Sequence, residues 1–322
     1  EPSASETVAD ATEPDASEPG ATDAAEPTAE TAAPAENDKA PAAVTDEMPP
    51  ALNDFGQYLD TTVQAKAAAL VELNSDTLVY GMNLDEKVYP ASLTKIMTCM
   101  LALEHGNLDD IVTVSHEALQ ELNAAGSSAG LLEGEQLSLR ELLYCVMISS
   151  ANEACNIIGR YLGGSISGFV EQMNQKAVDL GCTNTHFVNT NGLPAEGHYS
   201  SAYDQSLIFR AALDHPLFSE IIDSTSYQPE NTAINEGKPI GNSNALINIT
   251  SIYSYNGRYL YDGAKGGKTG YTDAAGLCLA SLAVVNGKEY ILVTLGAPGN
   301  HATEQTNIMD AVQVYRRLEK KK

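Results

Sequence analysis

Ser92 and Lys95 stand three residues apart in PASLTKIMT, at the start of a stretch with helical apolar periodicity. Positions i and i+3 share one face of a helix, so the hydroxyl and the amine should lie side by side. A serine hydroxyl attacks efficiently only when a neighbouring base takes its proton. A lysine can be that base if burial or nearby positive charge lowers its pKa. The pair therefore indicates a nucleophilic serine, although this spacing also arises by chance.

A second hydroxyl motif, Ser150-Ala151-Asn152, follows a strongly apolar segment and opens another predicted helix. A second hydroxyl could relay a proton, and an asparagine amide could hold a substrate carbonyl. The motif carries no weight alone, because Ser254 and Asn256 have the same spacing in a polar loop.

The third motif is Lys268-Thr269-Gly270, within GGKTGYTDAAG and next to an apolar strand. A lysine and a threonine on an edge strand could bind an anionic group, and the glycine would let a substrate backbone approach. The motif is not a phosphate-binding loop, because Gly263 lies one residue too close to Gly267 for the GxxxxGK pattern.

The elements that must position these motifs follow from periodicity and turn signals. Residues 65–83 are typical of strand, turn and strand, and residues 107–160 of helices for the most part. Two apolar strands flank the hairpin signal Asn286-Gly287-Lys288, and an amphipathic helix is predicted over 304–319. Strands at both ends of a helical block predict an α+β fold with one sheet, assembled from both ends of the chain.

The first 50 residues differ in composition from the rest. They hold 13 of the 43 acidic residues, one lysine, 14 alanines and 8 of the 14 prolines. Such a segment cannot bury enough apolar surface to offset the entropy of ordering it. We predict a disordered acidic leader over 1–50 and a folded domain over 51–322. The chain starts at Glu1 without a methionine, so we expect a mature or trimmed form with the leader as a spacer to an anchor.

The remaining composition excludes several classes of protein. The net charge of the whole chain is −25, with no cluster of basic residues before the last three lysines, which argues against nucleic-acid binding. No stretch approaches the 18 apolar residues of a membrane-spanning helix. The five cysteines are odd in number and form no CxxC, so we expect buried free thiols rather than a zinc site.

The three motifs in this order, with the flanks ISSANEAC and NTNGLPAEGHYSSAYDQSLI, resemble those of low-molecular-mass penicillin-binding proteins. These are serine-type D-alanyl-D-alanine carboxypeptidases, and the resemblance runs from about Ala65 to Tyr315. It implies a beta-lactamase-like fold: a five-stranded antiparallel sheet flanked by helices, with the active site between sheet and helical region.

The resemblance also implies the catalytic roles. Ser92 would be the acylated nucleophile, Lys95 its base, and Ser150 the group that passes a proton to the leaving D-alanine. The substrate would be a peptidoglycan stem pentapeptide, and beta-lactams would acylate the same serine. No metal or cofactor is implied. We expect a monomer in the bacterial cell envelope, secreted or attached to the membrane outside this chain.

The binding residues implied by the resemblance are Asn152, which would hold the peptide, and Lys268, Thr269 and Gly270, which would line the substrate. The oxyanion hole would use the nucleophile's own backbone N–H and a second one near Tyr271. This agrees with the requirement for two donors aimed at the developing oxyanion.

Three features depart from the family pattern. Tyr271 replaces a frequent histidine. Thr303 stands where an arginine for the terminal carboxylate is expected, and none occurs between Gly296 and Glu304. A carboxy-terminal portion found in many relatives is missing.

Two alternatives remain open. A beta-lactamase would need an ExxLN-type deacylating glutamate, but Glu153 and Glu171 precede asparagines without the leucine. A catalytically weak peptidoglycan-binding or morphogenetic module is the other. Of the remaining candidates, we expect Cys155 to be a buried thiol, His198 to structure its loop and Glu153 to cap or brace its helix.

Overall fold

The computed structural model of the chain describes residues 63–120 and 126–320. The predicted acidic leader and the predicted domain start at residue 51 lie outside these ranges, so both stay predictions.

A five-stranded sheet forms the centre of the described structure. Its order is β2-β1-β9-β8-β7, and every neighbouring pair is antiparallel. The strands are β1 (Ala67–Glu72), β2 (Thr77–Met82), β7 (Ala264–Thr272), β8 (Gly276–Val285) and β9 (Lys288–Ala297). The sheet thus combines strands from both ends of the chain, which confirms the α+β prediction. Asn286 and Gly287 both have positive φ, as the tight β8–β9 hairpin requires.

Eight α-helices complete the described part of the chain: α1 (Thr94–His105), α2 (His116–Gln120), α3 (Leu139–Met147), α4 (Asn152–Gly163), α5 (Ile166–Asp179), α6 (Ala202–Leu213), α7 (Pro216–Asp223) and α8 (Thr306–Glu319). A 3-10 turn, Ala91–Leu93, leads into α1. Two short ribbons lie outside the main sheet: β3 (Ile111–Thr113) with β4 (Gln136–Ser138), and β5 (Ser226–Tyr227) with β6 (Ile240–Gly241).

The prediction of a mostly helical region over 107–160 was wrong for β3 and β4. Each strand has three residues, too few to show an alternating pattern. Their pairing joins Val112 to Leu137, so it depends on contacts distant in sequence.

The alternation of side chains along the strands divides the interior into two cores. In β1, Ala67 and Ala69 belong to the core shared with the helical region, whereas Ala68 and Leu70 belong to the core under α8. The sheet therefore lies between two layers, and its edge strand β7 remains open along one side.

All five cysteines are buried free thiols, as the sequence predicted. Within the described residues, no helix is both long and apolar enough to cross a bilayer.

Candidate active site

The first motif lies where the 3-10 turn passes into α1. Ser92 is half-buried, and Lys95, one helical turn later, is fully buried. The loop before α6 packs tightly on this turn, because a Cβ on Gly192 would lie 1.8 Å from the carbonyl oxygen of Ala91. Gly192 also has a φ of +89°, so glycine is required there for both space and conformation. The turn that presents the serine is thus held from the side by a second loop.

The amine of Lys95 makes three short hydrogen bonds. Nζ lies 3.1 Å from Ser92 Oγ, 2.7 Å from Asn152 Oδ1 and 2.6 Å from the carbonyl oxygen of Asn191. The last two partners can only accept, so they take two N–H bonds whatever the charge of the lysine. The contact with Ser92 can reverse: a neutral Lys95 directs its lone pair at the serine O–H. The geometry selects Ser92 as the group from which Lys95 can take a proton.

Burial makes that proton transfer feasible near neutral pH. It lowers the pKa of Lys95 to about 8, against smaller opposing effects of Cys155 and Glu153. Burial also lowers the pKa of Lys268, and the charge of Lys95 adds to that effect. Two buried cations close together disfavour each other's charged form, so one of the two amines can be neutral near neutral pH.

The second motif joins α3 to α4. Ser150 has a left-handed φ of +60°, and its Oγ is buried without a hydrogen-bond partner among the described residues. Asn152 is the first residue of α4, and its side-chain oxygen is occupied by Lys95. Ser150 therefore offers an unengaged hydroxyl to the cleft, whereas Asn152 orients the base in this structure.

The third motif lies on the edge strand β7. Lys268 is buried, with its Nζ donating to the carbonyl of Thr269 at 2.8 Å. The Thr269 hydroxyl lies 2.8 Å from Ser243 Oγ. A Cβ on Gly270 would lie 3.0 Å from the backbone nitrogen of Ser92, so the strand touches the nucleophile's turn. The prediction of an edge strand carrying a lysine and a threonine is confirmed.

An open cleft of about 570 Å³ connects the three motifs. Sequence reasoning identified five of its lining residues, namely Ser92, Ser150, Thr269, Gly270 and Tyr271. Three buried polar side chains lie behind this lining. Lys95 contacts Ser92 and Asn152, and Lys268 contacts Thr269. All eight predicted site residues therefore belong to one site.

Several cleft residues were missed, among them Ser127, Ser243, Tyr253 and His301. They lie in loops far apart in sequence, and no short motif marks them. Thr303, where an arginine was expected, is engaged within its own loop, since its Oγ1 accepts from the backbone N–H of Asn300 at 2.8 Å. His301 from the same loop lines the cleft instead, bonded to Tyr253 Oη.

Two of the remaining candidates have structural roles. His198 Nδ1 accepts from the backbone N–H of Val188, so its Nε2–H donates to Thr94 Oγ1 at 2.9 Å. Burial lowers the pKa of His198 to about 4, and the imidazole stays neutral, as expected for a loop-structuring residue. Cys155 is a buried helix thiol whose pKa burial raises to about 11.

Of the two roles expected for Glu153, capping or bracing its helix, capping was wrong. The N-cap of α4 is Ala151, which makes no side-chain cap bond. The Glu153 carboxylate instead accepts from the loop that ends at Gly130. That loop has no apolar pattern from which its packing could be predicted.

Comparison with known proteins identifies the family. Residues 55–299 match the family model of the S11 peptidases, described as D-alanyl-D-alanine carboxypeptidase. The chain is 34% identical over 256 residues to D-alanyl-D-alanine carboxypeptidase DacF of Bacillus subtilis, an alignment that covers 77% of this chain and 61% of that protein. It is 30% identical over 269 residues to a D-alanyl-D-alanine endopeptidase of Pseudomonas aeruginosa, covering 82% of this chain and 80% of that one.

Solved structures agree in fold. The DD-transpeptidase of Streptomyces K15 superposes with a TM-score of 0.71 at 26% identity, covering 80% of this chain and 98% of that one. A D-alanyl-D-alanine carboxypeptidase from Mycobacterium tuberculosis gives a TM-score of 0.70 over 80% and 91% of the two chains. The chain spans 61% and 57% of the length of the first two curated carboxypeptidases it matches. With its three motifs gathered in one cleft, the chain belongs to the D-alanyl-D-alanine carboxypeptidase family of serine peptidases.

Proposed function

We propose that the chain is a serine carboxypeptidase that removes the terminal D-alanine from peptidoglycan stem pentapeptides. The observation that carries this proposal is the contact of Ser92 Oγ with a buried lysine whose other N–H bonds are committed to acceptors. Family membership supports the substrate class, because the relatives are named for action on D-alanyl-D-alanine.

Acylation follows from this geometry. Neutral Lys95 takes the proton of Ser92 while Oγ attacks the carbonyl of the penultimate D-alanine. The tetrahedral oxyanion would accept from the backbone N–H groups of Ser92 and Tyr271. Collapse breaks the peptide bond, and the proton that Lys95 took from Ser92 passes through Ser150 to the departing nitrogen. An ester on Ser92 remains, and free D-alanine leaves.

Deacylation reverses the roles of the same groups. Water attacks the ester carbonyl, with its proton passing to Lys95, and the Ser92 oxygen leaves and regains a proton. Neither half of the reaction calls on a metal ion or a cofactor.

The substrate carboxylate would lie beside Thr269. Its hydroxyl and that of Ser243 form a pair on the cleft wall, and an arriving carboxylate would favour the charged form of the buried Lys268 beside them. Hydroxyl donors near a buried cation stabilise a carboxylate without an arginine. The terminal carboxylate is what distinguishes a carboxypeptidase substrate from an internal peptide, so this wall would set the specificity.

The location and partners belong to the same proposal. The chain would act in the bacterial cell envelope as a monomer, with the acidic 1–50 segment as a tether to an attachment outside this chain. Beta-lactams would acylate Ser92 in place of the stem peptide.

The test is the substitution Ser92→Ala. It should abolish the covalent penicillin adduct in the mass spectrum and lower D-alanine release from a muramyl pentapeptide by roughly 10⁴-fold or more. Ser167→Ala, on the exposed start of α5, is the matched control and should behave as wild type. An adduct that persists in the first variant, or that maps to another residue, contradicts the assignment.

The alternatives give different outcomes in the same assays. A beta-lactamase would hydrolyse a chromogenic cephalosporin in steady state at hundreds per second, on the order of its usual turnover. A weak peptidoglycan-binding module would trap penicillin without releasing D-alanine.

A further inference from the structure

Glu153 is a buried acid next to the second motif that the proposed reaction leaves unused. Its side chain is 2% exposed, and Oε2 has no partner among the described residues. Burying a carboxylate is costly unless hydrogen bonds compensate. Since water does not reach this carboxyl group, hydrogen bonds within the protein must stabilise it.

Among the described residues, the side chain of Glu153 bonds to one segment, residues 126–130, which we call the serine loop. Oε1 accepts from Ser128 Oγ at 2.7 Å, from the N–H of Ala129 at 2.6 Å and from the N–H of Gly130 at 3.1 Å. The sequence of the loop is GSSAG, so Ala129 is its one apolar side chain. With so little apolar surface to bury, the loop depends on polar contacts for its position.

The serine loop in turn contacts the catalytic groups. The carbonyl of Ser127 accepts from the backbone N–H of Asn152 at 2.9 Å, and Ser127 also lines the cleft. A Cβ on Gly126 would lie 2.2 Å from Asn152 Nδ2, so the loop backbone rests directly on that amide. Asn152 is the residue whose Oδ1 accepts from Lys95 at 2.7 Å.

Charge provides a second connection. The titratable groups that act on Lys95 are Cys155 and Glu153 on α4, and Lys95 in turn acts on Lys268 of β7 and on His198 before α6. Around neutral pH, Cys155 is a thiol and His198 a neutral imidazole, since burial moves the pKa of each away from that range. Glu153 is thus the acid among these described groups that favours the charged form of Lys95.

We propose that Glu153 is a positioning residue for acyl transfer: it clamps the serine loop onto the first turn of α4, holds Asn152 against Lys95, and places a buried carboxyl group one residue from the amide that binds the base. The inference deepens the proposed function and rests on it. One carboxylate would then hold the loop that forms part of the cleft wall. Its charge would also influence the pH at which Lys95 becomes a base.

The experiment measures the acylation rate constant with benzylpenicillin between pH 5.5 and 9.5, at roughly the range that spans the lysine pKa. The proteins are wild type, Glu153→Gln and the control Glu171→Gln, which removes an exposed carboxylate from α5. The glutamine keeps an oxygen for the loop donors and loses the charge. The rate should rise with pH as Lys95 loses its proton. We expect the midpoint of this rise to move down by roughly half to one pH unit in Glu153→Gln and to stay unchanged in Glu171→Gln.

The outcomes separate this inference from the proposed function. If the midpoint of the pH–rate profile does not move in Glu153→Gln, the effect of the Glu153 charge on Lys95 is overturned. This includes the case in which the rate falls by the same factor at every pH. Equal movement in both variants would do the same, because it would show a general field effect. If the wild type forms no penicillin adduct, the proposed function fails, and the inference with it.

A second variant covers the case in which Glu153→Gln does not fold, as judged by circular dichroism. Ser128→Ala removes one of the loop donors and keeps the carboxylate. We expect acylation to fall about 2- to 10-fold at every pH, as for one hydrogen bond, with the wild-type midpoint. A rate equal to wild type would overturn the clamp.

Discussion

The two faces of the five-stranded sheet bury polar groups in different ways. On the helical face, the ionisable side chains of Lys95, Lys268 and Glu153 are buried around the cleft. On the opposite face, α8 buries Tyr315, whose hydroxyl lies 2.8 Å from Ser281 Oγ, and Asp310, which accepts from the backbone N–H groups of Gln64 and Ala65. One face buries charge beside reactive groups, and the other uses polar groups to join elements.

This difference shows where buried ionisable groups lower the stability of the fold. A buried lysine with a lowered pKa destabilises the fold at any pH where the unfolded chain binds the proton. That same lowered pKa makes Lys95 a base near neutral pH. The helical face therefore exchanges stability for reactivity, whereas on the α8 face burial also raises the pKa of Asp310, to about 6, without serving the proposed reaction.

The largest expected effect comes from Lys95→Met on the helical face. The substitution removes the base and keeps most of the side-chain volume, so acylation by penicillin should fall roughly 10²- to 10⁴-fold. In the wild type the rate should rise as pH passes through about 8, since only neutral Lys95 accepts the serine proton. The rising limb should be absent in the variant. Lys265→Met, at an exposed position of β7, should keep the wild-type acylation rate and its rise with pH. A wild-type limb in Lys95→Met would exclude Lys95 as the base.

A smaller effect is expected where the sheet edge meets the nucleophile's turn. In Gly270→Ala the new methyl would lie 3.0 Å from the Ser92 nitrogen and 3.1 Å from Ala91 Cβ, so the strand and turn must separate. A displacement of this kind should lower acylation about 10- to 100-fold with a small change in melting temperature. Gly241→Ala on β6 is the control, because a Cβ at that position would have no atom within 4 Å. An unchanged rate in Gly270→Ala would mean that this approach has no catalytic role.

The smallest effect is expected on the α8 face, and it should appear in stability rather than rate. Tyr315→Phe removes a buried hydroxyl and leaves Ser281 without it, which should lower the free energy of unfolding by about 1–2 kcal/mol. Acylation should equal that of wild type. Tyr161→Phe removes a hydroxyl whose bond to Asp110 lies at the surface, so it should lower the free energy of unfolding by less, about 0.5 kcal/mol. Urea titration measures both, and a fall in acylation rate for Tyr315→Phe would show that the two faces are coupled.

Local patterns predicted much of the fold and most of the site. The β8–β9 hairpin follows from Asn286-Gly287, and the pairing of Ser92 with Lys95 follows from helical spacing. Sequence patterns failed for the β3–β4 ribbon and for Glu153, because both depend on partners more than 20 residues away. Ser243, Tyr253 and His301 were missed for the same reason: they reach the cleft from loops without periodic or motif signals.

The sequence by itself determined which groups can react, the helix that pairs nucleophile with base, and the strand that carries Lys268 and Thr269. Only the tertiary structure decided that Lys95 is a usable base. Its burial, and its bonds to Asn152 and to the carbonyl of Asn191, join residues 57 and 96 positions away. The physical reason is that a pKa depends on desolvation and on neighbouring charges in space, and packing alone assembles these.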